Sequence, residues 1–121
     1  MAQESFNVRK LIVLKKYQQY LIWLLEKINR FPRKQKYLLG ERIGNKAFDI
    51  LEIIIQIQYT SRDQRRKLIP IFNLKLENLR QLIRIAWKMK FLSHQSFIWQ
   101  EVKINEVGQM VHGMASSPMN Q

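Results

Sequence analysis

The sequence predicts an all-α protein, an antiparallel up-down-up-down four-helix bundle. Three observations carry that expectation. Apolar residues recur at spacings of three and four in four successive segments, no segment alternates with the period of a half-buried strand, and Pro, Ser and Gly fall where one helix would stop and the next begin. Helices joined by short connections pack most simply with sequence neighbours antiparallel. The expected layout is a single domain over residues 1–121, with helices at about 10–31, 33–58, 62–91 and 94–113 and a flexible tail at 115–121.

In the first helix the seam is Leu14, Tyr17, Leu21, Leu24, Ile28 and Phe31. Phe31-Pro32 ends it, because a residue before proline is pushed out of the α region. Pro32 can then open the second helix, where its missing N–H is not needed. The second seam, Ile43, Ala47, Ile50, Ile54 and Ile57, is flanked by Phe48, Leu51 and Ile55, a face wide enough for more than one neighbour. Isoleucine favours strands, but the 3–4 spacing continues on both sides of Ile50 to Ile57, which argues for a helix. Gly40 and Gly44 sit among Glu41, Arg42 and Lys46, so their GxxxG spacing points to close helix packing and not to a membrane dimer face.

Tyr59-Thr60-Ser61 breaks the pattern, and Ser61 with Gln64 has capping-box spacing for a third helix starting at Arg62. Its seam is Leu68, Phe72, Leu76, Leu79, Ile83 and Ala86. Pro70 inside it removes one backbone hydrogen bond, so a kink, or a regular helix beginning near Ile69, is expected. Ser93 suits the N-cap of a fourth helix with inner face Phe97, Ile104, Val107, Val111 and Met114, which Gly113 and Ser116-Ser117-Pro118 then stop.

Composition narrows the chemistry. The 121 residues include no Cys, which removes disulfides, thiolate nucleophiles and cysteine-ligated zinc. The longest apolar runs, Leu11 to Leu14 and Ile53 to Ile55, are far short of the roughly 20 residues that span a bilayer, and the N-terminus lacks the pattern of a secretory signal. A cytoplasmic protein without a membrane anchor is expected. Neither His94 nor His112 follows a Glu by three residues, as a di-iron bundle requires, and each is expected on the surface. His112 near a helix C-terminus also suits the helix dipole. No GxxxxGK[ST], GxGxxG or GxSxG motif occurs. Most acids lie within one turn of a Lys or Arg and read as surface ion pairs. No assembled active site, metal or cofactor is expected.

The charge is the strongest functional signal: 21 Lys plus Arg against 9 Asp plus Glu, a net +12. Arg30, Arg33, Lys34, Lys36, Arg42 and Lys46 face Glu41 alone in their stretch, and nine cations between Arg62 and Lys90 face Asp63 and Glu77. Arg80, Arg84 and Lys88 are four apart and stack along one stripe of the third helix. Such a row suits a polyanion. The candidate phosphate contacts are Arg80, Arg84 and Lys88, supported by Arg33, Lys34, Arg65 and Arg66. Trp23, Trp87 and Trp99 adjoin the seams of their helices, which assigns them to the core or a subunit contact ahead of base stacking.

Tyr17, Leu21-Ile22-Trp23-Leu24 and the run Ile-Asn-Arg-Phe-Pro-Arg-Lys-Gln-Lys-Tyr-Leu-Leu-Gly-Glu-Arg-Ile from Ile28 to Ile43 resemble the opening of the accessory variability determinant (Avd) proteins of diversity-generating retroelements. Leu76 to Ala86 resembles that family's third helix and Glu106 to Val111 its fourth, so the likeness runs from about Val13 to Met114. Proteins encoded in intervening sequences of 23S ribosomal RNA genes are similar in pattern. The resemblance implies bundles assembled into ring-like homopentamers with a basic surface. It implies partners, a reverse transcriptase and RNA or DNA, and a role in mutagenic retrohoming, in which adenine-mutagenised cDNA replaces a variable gene segment. It implies no catalysis by the accessory protein itself, and a bacterial, archaeal or phage-encoded chain. The family's basic positions fall on Arg33, Lys34, Arg80 and Arg84. Gln109 stands where the fourth-helix motif carries Arg, and His112-Gly113 replaces a Gly-Gly pair. Rival readings are an RNA-binding bundle of the intervening-sequence type, a protein-interaction scaffold that binds no nucleic acid and, more distantly, a small helical enzyme of mutase type.

Overall fold

The 3–4 spacing of apolar residues is realised as four long helical segments in the computed structural model, which describes residues 2–116. Helix α1 spans Ala2–Asn29. Helix α2 covers 33–58 in three consecutive pieces, an α turn at Arg33–Gln35, a π-helical stretch at Lys36–Gly40 and an α-helix at Glu41–Gln58. Helix α3 is Arg62–Lys88 and α4 is His94–Ala115. No strand occurs among the described residues. Helix α1 lies beside α2 and α4, α3 lies beside both as well, and α2 touches α4 across the middle. This is the neighbour pattern of an up-down-up-down bundle.

Every residue of the expected seams is buried or packed against the core, and the buried apolar residues form one cluster. Tyr17, Ile43, Ala47, Ile50, Ile54, Ile57, Phe72, Leu79 and Ile104 have no exposed surface. Burying a side chain of that size contributes roughly 1.5–3 kcal/mol. Directional bonds set the register within this apolar mass. The Tyr17 hydroxyl donates to the Ala47 carbonyl of α2, the Tyr20 hydroxyl donates to Gln100 Oε1 of α4 at 3.0 Å, and Gln58 Nε2 donates to the Lys10 carbonyl at 3.1 Å. A slip of one residue would strand these buried groups, at about 1–3 kcal/mol each.

The ends differ from expectation by a few residues. Helix α1 begins well before residue 10, since nothing upstream of Phe31-Pro32 breaks it. Pro32 caps α2 and is not its first helical residue; its carbonyl accepts from Lys36 N at 2.9 Å. Ser61 and Ser93 cap as their spacing predicts, accepting from Gln64 N at 3.4 Å and Ser96 N at 3.0 Å. Helix α3 runs through Pro70 from Arg62 and does not start near Ile69. Its C-terminus is closed by Lys90 at φ 69°, with Lys90 N bonded to Trp87 O and Phe91 N to Ala86 O, each at 2.9 Å. This paired closure normally uses glycine. Gly113 does not stop α4. Ala115, expected in a flexible tail, is helical and buried, and residues 117–121 of that tail lie outside the described residues.

Of the two glycines in α2, Gly40 is the one at a close approach. A Cβ there would stand 2.8 Å from Ile28 Cγ2, whereas at Gly44 the nearest atom, Leu25 Cδ2, would be 3.8 Å away.

Candidate nucleic-acid interface

Two chain turns bring the densest positive charge together. The α1–α2 corner and the α3–α4 turn lie at the same end of the bundle, where the Phe31 and Phe91 rings pack 5.6 Å apart. The segments that build this end, 27–40 and 86–100, contain Lys27, Arg30, Arg33, Lys34, Lys36, Lys88 and Lys90 and not one Asp or Glu. Arg30, Arg33, Lys34, Lys88 and Lys90 are exposed. Lys36 Nζ reaches back to Asn29 Oδ1 at 3.4 Å, and Lys27 Nζ sits 5.6 Å over the Trp23 ring. With no carboxylate in these two segments, an external polyanion is the natural counter-charge.

From this end a basic flank runs along α3. Lys88 and Arg84 are exposed, and the Arg84 guanidinium lies 5.6 Å over the Phe97 ring. Arg80, one turn further, is half-buried: Nη2 donates to Asn105 Oδ1 of α4 at 2.6 Å, and Nη1 lies 3.7 Å from Glu77 Oε1. The equal spacing of the three cations therefore conceals two different settings. Arg80 is already tied to α4, whereas Arg84 and Lys88 present their charge outward. Arg66 is exposed near the far end of the same helix.

Arg65 does not belong to this surface. It is fully buried, and desolvation, reinforced by nearby Arg62, lowers its pKa below the ordinary arginine value. A phosphate cannot reach it in this arrangement, so its place among the supporting contacts is withdrawn. Spacing in the sequence put Arg65 beside Arg66; the helix turns one inward and the other outward.

Sequence reasoning passed over the polar wall between α3 and α4. Asn73, Arg80, Asn105, Gln109 and His112 line a concavity floored by Leu76 and Gly108. His112, exposed as expected, has Nε2 2.7 Å from Asn73 Oδ1, to which it donates. Each asparagine meets a side chain of the other helix, Asn105 with Arg80 and Asn73 with His112, so no spacing within one segment signals the pairing. The tryptophans divide. Trp87 stacks on Phe97 at 4.4 Å between centroids, and Trp23 packs on Trp99 at 4.5 Å, but Trp99 keeps 40% of its surface exposed.

Ion pairs between described side chains are Lys46–Asp49, Glu77–Arg80 and Lys103–Glu106, each within one helix at 3.7–3.9 Å and partly exposed. Pairs of this kind contribute little. Among the described residues no three of His, Asp and Glu converge to hold a metal ion, and no helix is long and apolar enough to cross a membrane. What the arrangement offers is fixed positive charge and amide hydrogen bonding. In comparison with known proteins, a family model described as bAvd-like matches residues 11–117. No curated protein and no solved structure matches the chain.

Proposed function

The chain belongs to the bAvd-like family, and on that footing we propose that it is the accessory protein of a diversity-generating retroelement. In this reading it is a non-catalytic basic bundle that holds template RNA or cDNA and docks on the reverse transcriptase during mutagenic retrohoming. The observation that carries the reading is the cation-rich end of the bundle, where the 27–40 and 86–100 segments meet at the Phe31–Phe91 contact and acids stand only at their margins, at Glu26, Glu41 and Glu101. Arg33, Lys34, Arg84 and Lys88 neutralise phosphates there, with Arg80 and Arg66 further along α3. Because these contacts are to backbone charge, binding is largely blind to sequence and falls with salt, by about 0.7–0.9 in log–log slope for each phosphate neutralised.

Homo-oligomeric assembly belongs to the same reading. Two separate sets of exposed apolar residues support it, Ile71, Leu74 and Ile85 on α3 and Leu11, Ile22, Phe48 and Ile55 on α1 and α2. A ring joins unlike faces of successive copies, and a chain with two unlike apolar faces meets that requirement.

Electrophoretic shifts with RNA over a salt series test the first part, and co-purification with the reverse transcriptase before and after nuclease tests the second. Binding that ignores salt would remove the phosphate contacts. Partner capture that survives nuclease, with no RNA shift, would make the protein a scaffold. Light scattering measures the assembly.

A further inference from the structure

We propose that the groove between α1 and α4 receives an unpaired nucleobase, so that the strand held there is single and not duplex. The inference rests on the nucleic-acid reading above and deepens it. Trp99, 40% exposed, is braced by Trp23 at 4.5 Å. Beside it opens a cavity of about 130 Å³ whose polar lining comes from Lys16, Gln19, Tyr20, Lys103 and Glu106. Pockets for drug-sized ligands start at roughly 300 Å³; this one suits a single ring system with the rest of its nucleotide outside.

The groups around the cavity match the parts of an unpaired nucleotide. An indole face stacks on any base, because every base has a π-face. Glu106 Oε1 is shielded from solvent and accepts no hydrogen bond, although the rest of its side chain is partly exposed and Lys103 Nζ stands 3.7 Å away as an ion pair. A shielded carboxylate oxygen without a donor is an acceptor awaiting one, and base edges supply N–H donors. The Tyr20 hydroxyl spends its proton on Gln100, so it offers a base no donor, and Glu106 is the charged acceptor of the lining, beside the amide of Gln19. Lys103 Nζ rests 5.6 Å over the Trp99 ring; an arriving base takes the ring, and the freed ammonium, with exposed Lys16, takes the flanking phosphates. These lysines around the tryptophan favour an anionic strand over an apolar protein surface. A duplex keeps its bases stacked and its edges paired, so it can use neither the indole nor the carboxylate.

The test is titration of the full chain with a single-stranded RNA oligonucleotide, the same sequence as single-stranded DNA, and the RNA duplex. Tryptophan emission and the anisotropy of labelled strands are followed for the natural protein and for Trp99→Leu. The single strands are expected to quench emission, and Trp99→Leu to abolish that quenching and bind them on the order of tenfold more weakly, with duplex affinity and helical circular dichroism unchanged. RNA and DNA arms that differ identify which strand the site prefers. Single-strand affinity unchanged in Trp99→Leu, or an equal loss for duplex, overturns the inference while leaving phosphate binding in place. Should Trp99→Leu lose helix content, Lys16→Gln on the exposed rim carries the comparison: it must weaken single-strand binding more than duplex binding, and equal losses overturn the inference. A natural protein that binds none of the three strands defeats the nucleic-acid reading and this inference together.

Discussion

Arg80 and Asn105 join α3 to α4 through a 2.6 Å hydrogen bond, while Arg84, one turn away at the same spacing, lies over the face of Phe97. The two arginines therefore separate binding from stability. Arg84→Ala is expected to change stability by less than about 0.5 kcal/mol and to lower the salt slope of RNA binding by about 0.7–0.9. Arg80→Ala is expected to cost about 1 kcal/mol in addition, because it strips a charged hydrogen bond from a half-buried site. Thermal melts beside salt-dependent shifts check both; identical melts for the two variants would show that the Asn105 bond does not stabilise the bundle.

Lys90 occupies the left-handed region where glycine is at home. Lys90→Gly removes the Cβ penalty and should stabilise the protein by about 1 kcal/mol, a rise of a few degrees in Tm for a chain of this length. A melting temperature unchanged or lowered would mean that the turn tolerates lysine without strain.

The two glycines of α2 should answer alanine oppositely. Gly40→Ala drives a Cβ to 2.8 Å from Ile28 Cγ2 and is expected to cost about 1–3 kcal/mol as overpacking. Gly44→Ala meets ordinary contacts at 3.8 and 3.9 Å and should gain roughly 0.5–1 kcal/mol from reduced freedom of the unfolded chain. Urea unfolding of the pair decides it, and matching midpoints would refute the contrast.

Tyr17 and Tyr20 set an alkaline limit. Burial raises both phenol pKa values far above the usual 10, with Tyr20 and Asp49 adding to the shift at Tyr17 and Glu101 adding at Tyr20, where Arg80 partly opposes it. A raised folded-state pKa means that the contribution is complete below the unfolded value. Above about pH 10 the unfolded chain ionises while the folded one does not, so stability falls by about 1.4 kcal/mol per pH unit for each tyrosine. Tyr20→Phe should flatten that fall, although leaving Gln100 Oε1 without its donor lowers the plateau by about 1–3 kcal/mol. Melting from pH 8 to 11 reads both effects, and parallel curves for the variant and the natural protein would contradict the assignment.

Much of this architecture is legible in the sequence. The seams through Tyr17, Ile54, Leu79 and Ile104 follow from helical periodicity, the caps at Ser61 and Ser93 from local hydrogen-bonding chemistry, and the corner from Phe31-Pro32. The family resemblance agrees with the bAvd-like match. What stayed hidden depends on neighbours distant in sequence. Nothing in the spacing distinguishes tethered Arg80 from outward-facing Arg84 until α4 is laid beside α3. The burial of Arg65, by contrast, has a signal, since it stands three residues before Leu68 and seven before Phe72, on the apolar seam itself. The α3 terminus carries no glycine to advertise its closure, since Lys90 takes that place. The exposure of Trp99 depends on where α1 leaves the groove open.

Pro70 has no amide hydrogen to donate to the Arg66 carbonyl, so the rung that would join the opening turns of α3 to the rest of the helix is missing. The amides from Arg65 to Ile69 then have a nearby seam at which the helix can part without global unfolding, and deuterium should enter them sooner than it enters the turns around Leu79 and Ile83. Arg65 lies within that segment, so its burial depends on the turns of α3 expected to open first.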